Sequence, residues 1–196
     1  MITIIEKKSQ IPTVNLINKT SHSIFIIDEE QKKFPLKDVL TNKLKRIGKK
    51  INDLKKTPVV TELSGGGIIC WVMASDNINL FQCHTLLRKS LALIINEEPT
   101  QISIICQVKG QLSKLWCESA VYVTLLNTQS LPSHKKDKKN VPLKKLTLYG
   151  APTLIDLKEI SASVVGNTLA RELTITPPNE LTPTIYRGKI KKLAKQ

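Results

Sequence analysis

The sequence lacks any apolar run approaching the length of a membrane span, and its first residues, Met1 to Ile5, are apolar only until Glu6-Lys7-Lys8 interrupts them. A spanning helix needs about 20 apolar residues and a secretory leader needs a longer hydrophobic core, so neither is expected and a cytoplasmic location is. Aromatic residues are scarce, with three Phe, three Tyr and two Trp in 196 residues. Single-strand nucleic-acid binders stack bases on rings. Phe25, Trp71 and Trp116 fall on core-like stripes, which leaves few rings for that task. Only four cysteines occur, Cys70, Cys83, Cys106 and Cys117, all inside apolar segments and without C-x-x-C spacing. They read as reduced, buried thiols rather than a disulfide framework. Acidic side chains are also in short supply: 16 Asp and Glu against 30 Lys and Arg leave a net charge of +14.

That charge bears on partners rather than on fold. It gathers in the Lys32 to Lys56 segment, in the loop Lys135-Lys136-Asp137-Lys138-Lys139, and at Arg187, Lys189, Lys191, Lys192 and Lys195. A lysine-rich helix face is commonly a solvated surface. The alternative is a polyanion-binding surface with Lys135, Lys136, Lys138 and Lys139 among its contacts, for which weak, salt-sensitive nucleic-acid binding through the phosphate backbone is expected.

Along the chain, Thr13 to Ile17 and Ser23 to Ile27 are short β-rich runs and are expected to be strands. Leu36, Leu40, Leu44, Ile47, Ile51 and Leu54 recur at spacings of three and four between lysines, which predicts one amphipathic helix ending before Pro58. Two further β-rich runs, Pro58 to Leu63 and Ile68 to Ala74, flank Ser64-Gly65-Gly66-Gly67 and predict a hairpin. Asp76 or Asn77 is placed to cap a helix bearing Leu80, Cys83, Leu87, Leu91 and Ile94. Gln101 to Val108 is nearly continuous in apolar residues, as a central strand covered on both faces would be. A helix through Leu112, Trp116, Val123 and Leu126 and a strand from Leu143 to Tyr149 follow. The alternation predicts an α/β domain, a mixed sheet with helices on both faces and so three layers.

Candidate chemistry is thin. Cys83-His84, with His22 and His134, invites a metal or thiol–imidazole reading, but neighbours on a helix point about 100° apart and no second pair has ligand spacing. A buried thiol beside a boundary histidine is the plainer account. Gly65 to Gly67 could cradle a nucleotide phosphate, yet no helix begins at the glycines to supply a dipole.

The most informative stretch is Gly166 to Pro183, GNTLARELTITPPNELTP. A helix carrying Ile160, Val164, Leu169 and Leu173 must end by about Thr176, because Pro177-Pro178 has no amide to donate. Asn179 and Thr182 have side chains able to accept from free amides, and Pro183 suits the first turn of a new helix running to Lys195. Asn167, Arg171, Leu173, Pro177, Pro178, Asn179 and Pro183 together resemble the inter-domain junction of the leucine aminopeptidase (cytosol aminopeptidase) family. Ala120 to Val123, the basic loop, and Pro142 to Tyr149 are similar to that family's last helix, charged loop and final strand before its linker, in the same order.

The resemblance implies a macro-domain-like N-terminal domain over residues 1–150, a linker helix over 151–176, and the start of a catalytic domain over 177–196. Family enzymes remove N-terminal residues from peptides with two divalent metals, zinc or manganese, held around motifs like N-T-D-A-E-G-R and G-K-G-x-x-x-D-S-G-G. This chain contains neither motif; Ser64-Gly65-Gly66-Gly67 echoes S-G-G but follows Glu62-Leu63 and precedes the junction. No catalytic residue, metal ligand or cofactor is therefore expected in this chain, which reads as truncated before the catalytic domain. The implied partners are a catalytic domain of the same family and further copies in a homo-oligomer. The rivals from other classes are a basic nucleic-acid-binding module and a nucleotide-binding module.

Overall fold

Six strands form one sheet in the order β1-β6-β5-β2-β4-β3 in a computed structural model that describes residues 3–129, 131 and 141–195. They are β1 (Ile4–Lys8), β2 (His22–Asp28), β3 (Val59–Glu62), β4 (Ile68–Ala74), β5 (Gln101–Gln107) and β6 (Lys145–Tyr149). All pairings are parallel except β3 with β4, the hairpin closed by the glycine turn. Parallel neighbours need crossovers, and helices supply them. They are α1 (Val14–Ile17), α2 (Lys37–Arg46), α3 (Leu80–Ile95), α4 (Gly110–Thr128), α5 (Leu157–Ile175) and α6 (Pro183–Leu193).

Side chains of a strand alternate between faces, and β2 divides accordingly. Ile24 and Ile26 join the core under α3, α4 and α5, with Leu87, Ile104 and Trp116. Phe25 and Ile27 join the opposite core, with Ile17, Leu40, Leu54 and Trp71. Within that second core Phe25 stacks on Trp71 at 4.9 Å between ring centroids, and the Trp71 Nε1–H, fully buried, donates to Thr61 Oγ1 at 2.8 Å. The expected three-layer α/β sandwich of helices on both faces of a mixed sheet is the observed one, and Gln101–Gln107 lies mid-sheet as expected. Among the described residues no helix is long and apolar enough to cross a membrane.

Four local expectations are corrected. Thr13 to Ile17 is not a strand: Thr13 caps a single helical turn, its Oγ1 accepting from Leu16 N at 3.4 Å. The helix expected from Leu36 to Leu54 is broken, because Gly48 at φ +64 ends α2 and the chain resumes as a 3-10 turn over Ile51–Lys55. Asn79, rather than Asp76 or Asn77, caps α3 in a reciprocal box with Gln82. Ile4–Lys8 forms an edge strand that local pattern did not indicate, since its partner β6 lies about 140 residues away.

Candidate functional site

The residues singled out at the chain's last junction lie in succession along α5, the turn after it and the first turn of α6, each with its own contacts. Asp156 starts α5 by accepting from the amides of Lys158 and Glu159 at 2.9 and 3.0 Å, and these bonds hold its carboxyl below the usual carboxylate range. The first turns of α5 bury Ile160 and Val164 against the domain. Beyond Val164 the helix rises off the core and side chains become half-buried or exposed. There Arg171 reaches sideways, its Nη1 donating to the carbonyl of Leu126 at 2.8 Å. That carbonyl belongs to the last turn of α4, where carbonyls have no intrahelical partner and carry the negative end of the helix dipole, so a guanidinium suits it on both counts.

Helix α5 ends where the prolines require. Thr176 is its C-cap, and its hydroxyl donates to Glu172 O at 2.7 Å. The carbonyl of Pro177 accepts from the amides of Glu180 and Leu181, each at 2.9 Å, which turns the chain. Thr182 then caps α6 by accepting from Ile185 N at 3.4 Å, with Pro183 in the first turn. Asn179 does not cap: it sits exposed in the turn, three residues before the cap position. Asn167 donates within α5 to Ser163 O at 3.0 Å and contacts nothing else by hydrogen bond among the described residues.

Between α5 and α6 lies a groove of about 660 Å³. Val164, Leu169 and Leu173 form one wall and Tyr186, Ile190 and Leu193 the other, with Glu172, Lys189 and Lys192 on its rim. No residue of α6 is buried, and Ile190 and Leu193 are 49% and 53% exposed. An apolar stripe so exposed on an 11-residue helix is unpartnered amphipathicity, because such a helix gains most of its stability from covering that stripe. Tyr186 was not among the residues read from sequence, although it precedes Ile190 by four and Leu193 by seven, the spacing of a single helix face.

The other candidate residues do not assemble. Cys83 is fully buried and burial pushes its thiol up to about 11, opposed by a hydrogen bond with Ser119. Cys106 is raised by its hydrogen bond with the neighbouring thiol of Cys117 and by burial, and Cys70 is raised by burial. Such thiols are inert rather than nucleophilic. His84 stacks on Tyr122 at 5.1 Å, its pKa lowered by burial, while His22 Nε2 pairs at 2.9 Å with Oε2 of Glu97, just past the C-terminal end of α3. Among the described residues no three His, Cys, Asp or Glu side chains converge as a metal site. Gly65 and Gly67 serve packing: a Cβ at either would lie 2.0 Å from a backbone oxygen, of Asn18 and Thr20 respectively. The turn leads into β4 rather than a helix. Lys135, Lys136, Lys138 and Lys139, and His134, lie outside the described residues.

No protein-family model matches the sequence, and no curated protein matches it significantly. Solved structures do match the fold. The chain is similar to a mutant of tomato leucine aminopeptidase, at 17% identity and a TM-score of 0.62 over all of this chain and 43% of that one. It is similar to the bottromycin maturation enzyme BotP in complex with Mn, at 13% identity and a TM-score of 0.61 over 89% of this chain and 36% of that one. A cytosol aminopeptidase from Coxiella burnetii follows at 16% identity and a TM-score of 0.57, over 97% and 37%. The chain thus shares the fold of part of these proteins and spans about two-fifths of their length or less.

Proposed function

We propose that this chain acts as a non-catalytic α/β domain of a leucine-aminopeptidase-like protein, the counterpart of that family's N-terminal domain. Residues 1–150 form the domain, 151–176 the linker helix and 177–196 the entry to a catalytic domain. The observation that carries this reading is the coverage of the fold match: 89–100% of this chain, but only 36–43% of the aminopeptidase-like chains it resembles. The helix, Pro-Pro turn and helix at its end support the same reading, because among the described residues they leave the apolar stripe of α6 about half exposed.

In such a protein two divalent metals would polarise a peptide carbonyl and activate a water. This sequence contains neither of the metal-holding motifs. What these residues do is structural. Arg171 fixes the linker helix to the end of α4, Pro177 and Thr182 set the angle at which α6 departs, and the α5–α6 groove offers the surface on which a catalytic domain seats. Covering Ile190 and Leu193 fully would contribute about 1 kcal/mol each, since each is half exposed. Amide hydrogen exchange on the isolated chain tests this: α6 exchanges close to free-peptide rates while β5 stays protected. Protection of α6 equal to that of β5 defeats the docking reading.

A second reading rests on the charge. Lys43 and Arg46 of α2, with Lys45, Lys49 and Lys50 close by, give the α2 side an outward basic face on which a polyanion could lie. It takes first place only if nucleic-acid binding proves tight at physiological salt.

A further inference from the structure

The sheet face that carries α1 and α2 is not covered along its whole length. Register places Glu6, Thr147, Ser103 and Ser23 side by side across β1, β6, β5 and β2. Interior parallel strands ordinarily present apolar residues on both faces, and the next row on the same face does so with Tyr149, Ile105 and Phe25. Glu6, Thr147 and Ser103 of that row floor a depression of about 310 Å³, at the small end of ligand-pocket sizes, whose rim is Lys8, Lys145 and the Lys19–His22 loop.

The groups in it are not equally free. Glu6 is neutralised by Lys145, Nζ to Oε1 at 2.8 Å, and that pairing keeps the Glu6 carboxyl below its ordinary range. Ser23 is engaged with Thr20 at 2.7 Å, and His22 with Glu97. Lys8 lies over the Tyr149 ring at 5.2 Å, near enough to Glu6 to help hold that carboxyl low, and neither Lys8 nor Lys19 forms an ion pair among the described residues. Thr147 is only 7% exposed, yet its hydroxyl makes no hydrogen bond with any described residue and is not sealed from solvent, so it opens into the depression. Three lysines against one carboxylate leave the lining cationic. Two unpaired ammonium groups and an unspent, nearly buried hydroxyl make a set of donors that suits an anion with several acceptor oxygens.

From this placement we propose that the depression between β1, β6 and the α1–β2 loop binds a small phosphate-type oxyanion, with Lys8 and Lys19 supplying charge and Thr147 a directional hydrogen bond. The site is separate from the α5–α6 groove and does not depend on the aminopeptidase reading. The test is a proton–nitrogen NMR titration of the full chain with inorganic phosphate at fixed ionic strength, with sodium chloride as the reference salt and glycerol phosphate as the esterified form. Saturable shifts confined to amides near Lys8, Lys19, Ser103 and Thr147 are expected, and tighter binding of one form identifies whether the ion is free or esterified. Lys8→Gln with Lys19→Gln should weaken binding about tenfold or more. Thr147→Val, which keeps charge and shape, should weaken it about tenfold, and Lys89→Gln, exposed on α3 away from the depression, should leave it unchanged. Shifts that track ionic strength and spread over the lysines of α2 and α6, or a Thr147→Val variant that binds as the parent does, overturn the proposal.

Discussion

Replacing Arg171 by alanine isolates one bond whose geometry is simple. The guanidinium donates to Leu126 O at 2.8 Å, and both residues are partly exposed. A hydrogen bond to a charged group contributes about 1.5–3 kcal/mol when well shielded. Here water can reach the carbonyl once the side chain is gone, so the loss falls to about 1 kcal/mol. For a domain of this size that corresponds to a melting temperature lower by roughly 2–4 °C. The effect should also be local. Arg171 ties the outer half of α5 to the end of α4, whereas Ile160 and Val164 hold the inner half independently. Hydrogen exchange should therefore quicken across residues 167–176 and leave the first turns of α5 and the central strand β5 unchanged. Arg171→Lys, which keeps the charge but not the reach of the planar fork, should recover part of the loss. Two results refute the reasoning: a variant with parent-like melting and exchange, or one that loosens β5 as much as α5.

Gly67→Ala should destabilise the fold by about 3 kcal/mol, read by denaturant unfolding, because its Cβ would sit 2.0 Å from Thr20 O and 2.8 Å from Ser21 O, both backbone atoms that cannot step aside cheaply. A near-neutral outcome would mean that the glycine turn does not pack against the α1–β2 loop as described. Duplex DNA should bind weakly and without sequence preference, its log–log salt slope steepening by about 0.9 for each phosphate neutralised. Exchanging Lys135, Lys136, Lys138 and Lys139 for serine should flatten that slope and lower affinity evenly across sequences, with stability nearly unchanged. Absence of binding even at low salt would reduce the lysines to a solvated surface.

What the sequence revealed and what it hid follow from the range over which each signal acts. The strand Gln101–Gln107, the hairpin at Ser64 to Gly67 and the end of α5 before Pro177 were legible because apolar runs, glycine turns and prolines act locally. Thr13 to Ile17 misled because a run of four or five apolar and β-branched residues fits a strand or one helical turn equally well; packing of Ile17 into the second core decided it. Leu36 to Leu54 kept a helical spacing across Gly48, and only the glycine's positive φ reveals the break. The edge strand Ile4–Lys8 exists through its pairing with β6, which no local pattern encodes.

The junction was readable as punctuation, but the partner of Arg171 was not, since Leu126 lies 45 residues earlier on another helix. The polar row across the sheet was invisible for a similar reason. Glu6, Ser103 and Thr147 stand on three strands far apart in sequence, and only the register brings them together.

The claim that this domain contributes shape rather than chemistry is tested most directly by an aminopeptidase assay. Purified chain is incubated with manganese or zinc and a leucine anilide, beside a mock purification and a chelator-treated sample. Release of the chromophore is expected to be no faster than in the mock preparation, because the sequence contains neither of the motifs that would hold two metals. Turnover that is absent from the mock preparation and abolished by the chelator would contradict it.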